Sequence, residues 1–222
     1  MDICCDVEIA KSVARALVPG LKDSEWNELY SFWKRNSNNE IIETENGVEY
    51  KTNGKYHRED GPAVECSNGT KEWYIHGKRH REDGPAVERV GGEKHWYIHG
   101  KRHREDGPAI ERVGGEKHWY FNGLLHQTDG PAVELVSGEK HWYFNGLLHR
   151  NDGHAVIFAN GDKLWYLNGQ LHRKDGPAVE FADGEKHWYA HGKRHRWDGP
   201  AVERVSGKNM WFKHGKLYSK NF

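Results

Sequence analysis

The chain has 222 residues, with 33 Lys and Arg against 33 Asp and Glu, a mean hydropathy of −0.98 and three cysteines. The charge balance excludes a global field that would draw in nucleic acid, and the lack of any 18-residue apolar run excludes a membrane-spanning helix. So polar a chain would be expected to stay disordered, yet 12% aromatic residues at fixed positions argue for order. Cys4, Cys5 and Cys66 are odd in number and offer no disulfide framework. The N-terminus lacks the basic and apolar regions of a secretion signal. The expectation is a soluble, intracellular protein.

Residues 1–38 form the first unit. Helices are predicted over 6–17 and 24–35, separated by Val18-Pro19-Gly20. The second is capped by Asp23 or Ser24, and Trp26, Leu29, Tyr30 and Trp33 follow at the spacing of one apolar stripe. An open sheet edge recruits other strands unless covered, so this segment is expected to cap the sheet that follows or to dock a partner.

Residues 39–222 form the second unit. Tyr50, Trp73, Trp96, Trp119, Trp142, Trp165, Trp188 and Trp211 recur every 23 residues, with half-repeats at both ends. A fixed short period means an array in which stacking makes the core. Within each unit a β-rich run such as Pro85–Val90 is broken by Gly91-Gly92, resumes as Glu93–Ile98 and ends at His99-Gly100. The hairpins are 41–53, 62–76, 85–99, 108–122, 131–145, 154–168, 177–191 and 200–214. The fold class expected is an all-β repeat array: an elongated antiparallel meander of about eight stacked hairpins, roughly 75 Å long at ~4.8 Å per strand. Alternation puts Trp96 and Ile98 on one face and His95 and Tyr97 on the other. The aromatic columns are read as core, each ring against a like ring one repeat away.

The unit Trp-Tyr-x-Asn-Gly-x-x-His, Asp-Gly-Pro-Ala-Val-Glu and Gly-x-Lys-x-Trp resembles the variant MORN-type repeats of bacterial proteins, abundant in large DNA viruses of amoebae such as the marseilleviruses. The resemblance covers residues 39–222. It implies a hairpin array acting as a scaffold, and, if viral, residence in host cytoplasm or virion. Glu-Lys-His before Trp119 and Asp129-Gly130-Pro131 after it depart from the better-known MORN pattern. That departure weakens the membrane binding proposed for some relatives.

Histidine is the candidate for chemistry. His57, His80, His103, His126, His149, His172 and His195 form a column, each with Asp three residues on. No serine or cysteine recurs beside them, so hydrolysis is unsupported. Equivalent histidines stand about 10 Å apart, too far to share a zinc. The His-Asp pairs are read as hydrogen bonds tying link to hairpin. The spacing His76-x-x-x-His80 is read as turn chemistry, because Asn replaces the first His elsewhere. No catalytic, cofactor or metal site is predicted.

The repeats differ in the middle. Arg79 with Arg89, Arg102 with Arg112 and Arg194 with Arg204 give way to Leu125 with Leu135, Leu148 with Phe158 and Leu171 with Phe181, while Lys78, Lys101 and Lys193 give way to Leu124, Leu147 and Gln170. The joint switching predicts one apolar contact surface of Leu124, Leu125, Leu135, Leu147, Leu148, Phe158, Leu171 and Phe181, for a protein partner or a second copy in a homodimer. The alternative is a module holding phosphate or acidic lipid headgroups with the basic loops His76–Arg81, His99–Arg104 and His191–Arg196.

Overall fold

The computed structural model describes residues 22, 24, 25, 27–29, 31 and 38–218. Val87–Glu88 pairs antiparallel with Lys94–His95, Val87 facing His95. Lys94–His95 pairs on its other side with Ile110–Glu111 of the next repeat. Repetition of these two pairings builds a sixteen-stranded antiparallel sheet, running in chain order from β1 (Asn39–Thr44) through β2 (Gly47–Thr52), with β3 (Lys55–Tyr56) beside β2. The turn that joins each pair is set by glycine. Arg89 C=O accepts the Gly92 N–H at 2.8 Å, Arg89 N–H donates to Glu93 C=O at 3.0 Å, and Gly92 has φ +92°. This is a type I turn closed by a G1 bulge.

The second strand of each expected hairpin does not run through. It breaks at the tryptophan, whose N–H donates to the alanine C=O of the following strand, Trp96 to Ala109 at 2.9 Å. Beyond the break, Tyr97–Ile98 pairs with Lys101–Arg102, so each repeat carries a second, smaller hairpin. Seven such two-stranded ribbons accompany the sheet among the described residues. Their two-residue turns have positive φ at both positions, +50° at His99 and +81° at Gly100, as a type I′ turn requires. Among the described residues, all eight non-glycine residues with positive φ are the Asn or His of this turn, from Asn53 to His214. The interchange of Asn and His is therefore turn chemistry. Successive ribbons are joined by two backbone bonds, Gly100 N–H to Arg79 C=O at 2.8 Å and Arg81 N–H to Tyr97 C=O at 3.1 Å.

The core is thin and lies in columns. Ala63, Ala86, Ala109, Ala132, Ala155, Ala178 and Ala201 are all fully buried, and beside them Val87, Ile110, Val133, Val156, Val179 and Val202 are nearly so. Ala86 and Val87 pack with Tyr97 against Trp73 of the preceding repeat, so no repeat can bury its apolar side chains alone. Each buried Val or Ile contributes about 1.5–3 kcal/mol, and the column repeats that gain.

At the N-terminal end Ser24, Glu25, Asn27, Glu28, Leu29 and Ser31 are helical, and Lys22 N–H donates to the Glu25 carboxylate at 2.9 Å. Leu29 is half exposed. The helix expected over 6–17 and the stripe residues Trp26, Tyr30 and Trp33 lie outside the described residues, as do Cys4 and Cys5. Among the described residues no helix is long and apolar enough to cross a membrane.

Candidate functional site

The tryptophans meet arginine, and this corrects the expectation of ring-on-ring columns. The guanidinium carbon lies over the ring in the pairs Arg81–Trp73, Arg104–Trp96, Arg150–Trp142, Arg173–Trp165 and Arg196–Trp188, 4.0–4.4 Å from the centroid, and Arg58 covers Tyr50 in the same way. Arg104 also donates from Nε to Asp106 at 2.8 Å and from Nη1 to Pro108 C=O at 3.2 Å and Glu111 at 2.8 Å. A planar fork can hold the ring and three acceptors together. Arg58, Arg81 and Arg196 repeat the full set. Trp119 lacks the clamp, since Gln127 stands at the arginine position.

Five of the seven aspartates, Asp60, Asp83, Asp106, Asp152 and Asp198, therefore bind arginine where a bond to histidine was expected, a second correction. Hydrogen bonds from the neighbouring arginine hold the Asp60, Asp83, Asp106, Asp152 and Asp198 carboxyls below the usual carboxylate range. Histidine has a different partner. In all seven repeats Nδ1 accepts the backbone N–H of the Asn or His in the next repeat's ribbon turn, at 3.1–3.2 Å. Each imidazole is thus a clasp between repeats, made through Nδ1. Burial, and then the neighbouring imidazole of His76, His191 or His214, holds His57, His172 and His195 below the usual value of 6.5. Among the described residues no three His, Cys, Asp or Glu converge as metal ligands.

The eight residues of the expected contact surface fall in two places. Leu125, Leu148 and Leu171 stand opposite Tyr120, Tyr143 and Tyr166 in the ribbons and are half-buried. In the basic repeats arginine fills this position between successive tyrosines, with Arg102 Cζ 5.9 Å from Tyr97 and 5.3 Å from Tyr120. Leu135 is half-buried in the position of Arg89, while Phe158 and Phe181 put their rings edge-on to His141 and His187 at 6.1 and 5.2 Å. Burial holds the His95 imidazole low, Glu93 opposes that, and Arg89 and Arg102 both reinforce it. Both switching positions thus border one histidine column, a physical reason for their changing together.

Leu124 and Leu147 point the other way. They pair across the ribbons with Phe121 and Phe144, and all four stay open to solvent: 43% for Phe121, 50% for Leu124, 47% for Phe144 and 51% for Leu147. Leu124 lies against the turn at Gly146, and His126 fits between the two phenylalanines, 6.0 and 4.8 Å from their rings. The result is one apolar patch across two ribbons. Phe121 and Phe144 complete it.

In the basic loops most of the charge is engaged. Arg81, Arg104 and Arg196 are the clamps already described, and Arg79 donates to Glu72 at 2.9–3.1 Å. That carboxylate and burial push the Tyr74 hydroxyl up to about 12, burial being the larger cause. Lys78, Lys101 and Lys193 remain exposed. No family model matches the chain, and no curated protein is significantly similar to it.

Proposed function

We propose that the chain is a non-catalytic scaffold of the MORN-like kind and that the outer face of its middle ribbons holds a protein partner. The patch of Phe121, Leu124, Phe144 and Leu147 carries this reading. The ribbon does not require those residues: Ile75 with Lys78 and Ala190 with Lys193 occupy the same cross-strand positions and form the same turn. Aromatic and aliphatic side chains left open in adjacent units, where the fold accepts lysine, are the composition of a contact surface.

The non-catalytic part rests on arrangement. An active site needs unlike residues to converge, whereas the histidines and arginines here repeat in columns and spend their polar atoms joining one repeat to the next. The resemblance to repeat proteins of amoebal viruses and the free thiol of Cys66 support an intracellular setting.

The test is affinity enrichment from cell lysate with wild type and with Leu124→Arg plus Leu147→Arg. The paired variant is expected to lose the enriched protein while its thermal melt is unchanged, because both side chains are half exposed. Equal enrichment by both would count against the patch.

A further inference from the structure

We infer that the two ends of the sheet are complementary, and that copies of this chain join head to tail with β1 of one copy continuing the sheet of another. Ile41 stands opposite Tyr50, in the column that alanine fills in every later repeat. Those alanines are fully buried because a preceding repeat lies over them, whereas Ile41 is 65% exposed. At the other end Leu217 pairs with Phe212 in the column of Leu125, Leu148 and Leu171. Those are half-buried beneath a following repeat, while Leu217 is 63% exposed.

The turn glycines show the same mismatch in finer detail. A side chain of the preceding repeat covers each later ribbon turn: Lys55 lies 3.4 Å from where a Cβ on Gly77 would sit, Lys78 3.5 Å from that on Gly100, Leu124 3.4 Å from that on Gly146 and Lys193 3.7 Å from that on Gly215. Gly54 has nothing within 4 Å. Lys216, next in the covering column, is exposed. Lys216 of one copy would seat over Gly54 of the next, as Lys193 does over Gly215.

Backbone and charge agree with this. Along β1 five of six residues are exposed, and among the described residues the last pairing of the sheet is the isolated bridge Val202 to Met210, so both edges can accept a strand. Residues 39–72 carry eight acidic against four basic side chains, and residues 185–218 eight basic against three acidic. Opposite ends attract and like ends repel, which selects head-to-tail contact over a two-fold dimer. Such a contact yields an open filament, or a ring if the rotation closes.

Light scattering on the full chain from micromolar to near-millimolar concentration tests this. The average mass of wild type is expected to climb with concentration at low ionic strength and to fall with added salt. Glu40→Lys with Glu43→Lys should stay monomeric, as should Lys208→Glu with Lys216→Glu, and mixing the two reversed variants should restore assembly. The restored mixture also shows that each variant is folded. Leu124→Arg with Leu147→Arg should assemble like wild type, which separates this contact from the partner patch. A monomer at every concentration, assembly unaffected by the end charges, no recovery on mixing, or loss of assembly in the Leu124 and Leu147 variant would overturn the inference.

Discussion

Arg104 lies over Trp96 with its guanidinium carbon 4.0 Å from the ring centroid, and the same group binds Asp106, Pro108 C=O and Glu111. One side chain therefore holds the tryptophan, the Asp-Gly-Pro link and the following strand together. The first prediction is that Arg104→Ala lowers stability by about 2 kcal/mol, combining a partly desolvated cation–π contact with charge-assisted hydrogen bonds and giving little weight to the exposed Asp106. Arg104→Lys should recover less than half, because an ammonium cannot fork. Urea titration of the three proteins measures this, and a lysine variant as stable as wild type would deny the planar geometry its role.

The chain contains its own complementary experiment at Trp119. Asp129, Pro131 and Glu134 are in place there, but Gln127 occupies the clamp position. Gln127→Arg is expected to stabilise the array by about 1 kcal/mol, the net worth of a hydrogen-bonded cation over a ring. A lower urea midpoint would show that the fourth repeat differs for another reason.

Acid should loosen the stack, with a sign set by the clasp histidines. His57, His172 and His195 are held below 6.5 in the fold, so the unfolded chain binds more protons in the window just beneath that value. Their contribution is complete above about pH 6.5 and is lost as pH falls through the window. Urea midpoints between pH 8 and 5 should decline on the acid side. Replacing the three with Asn keeps an acceptor in place of Nδ1 and removes the titration, so the decline should become shallower; an unchanged pH profile would refute the clasp.

The ribbon turns give a third kind of prediction. Asn122 has φ +50°, a conformation that costs an ordinary L-residue roughly 1–2 kcal/mol. Asn122→Ala should lose about 1 kcal/mol, while Asn122→His should be close to neutral, since His99 and His191 adopt the same φ. Thermal melts distinguish the two outcomes.

The architecture was legible because a 23-residue period is a register in itself. Fifteen of the sixteen strands counted from eight hairpins lie in the sheet; its sixteenth is the short β3, and the last expected strand, at Trp211–Lys213, belongs to a ribbon instead. The Asn-Gly and His-Gly turns were legible for the same reason, since few residues accept positive φ. The break at tryptophan was not. A run such as Glu93–Ile98 alternates without interruption, and only the backbone bond from Trp96 to Ala109 shows where the strand turns away. The His-Asp expectation fails because these neighbours in sequence are not partners in space. The imidazole reaches 19 residues ahead to the next turn, and in five repeats the aspartate takes the arginine two residues before it. The recurrence of Arg58, Arg81, Arg104, Arg150, Arg173 and Arg196, each eight residues after its ring, was the available signal for the clamp. Of the candidate surface, the switch from arginine to leucine was visible. Its division into a half-buried set around Leu125 and an exposed set around Leu124 depended on cross-strand register, which the repeat alone does not supply.

The central claim is that the exposed patch on the middle ribbons meets a protein. A photo-crosslinking residue placed at Leu124 tests it most directly, with the same residue at Lys78 and at Lys193, equivalent positions on basic ribbons, as controls. A single adduct of defined mass from Leu124, absent or much weaker from the two lysine positions, is the predicted result. Equal labelling at all three positions would contradict it.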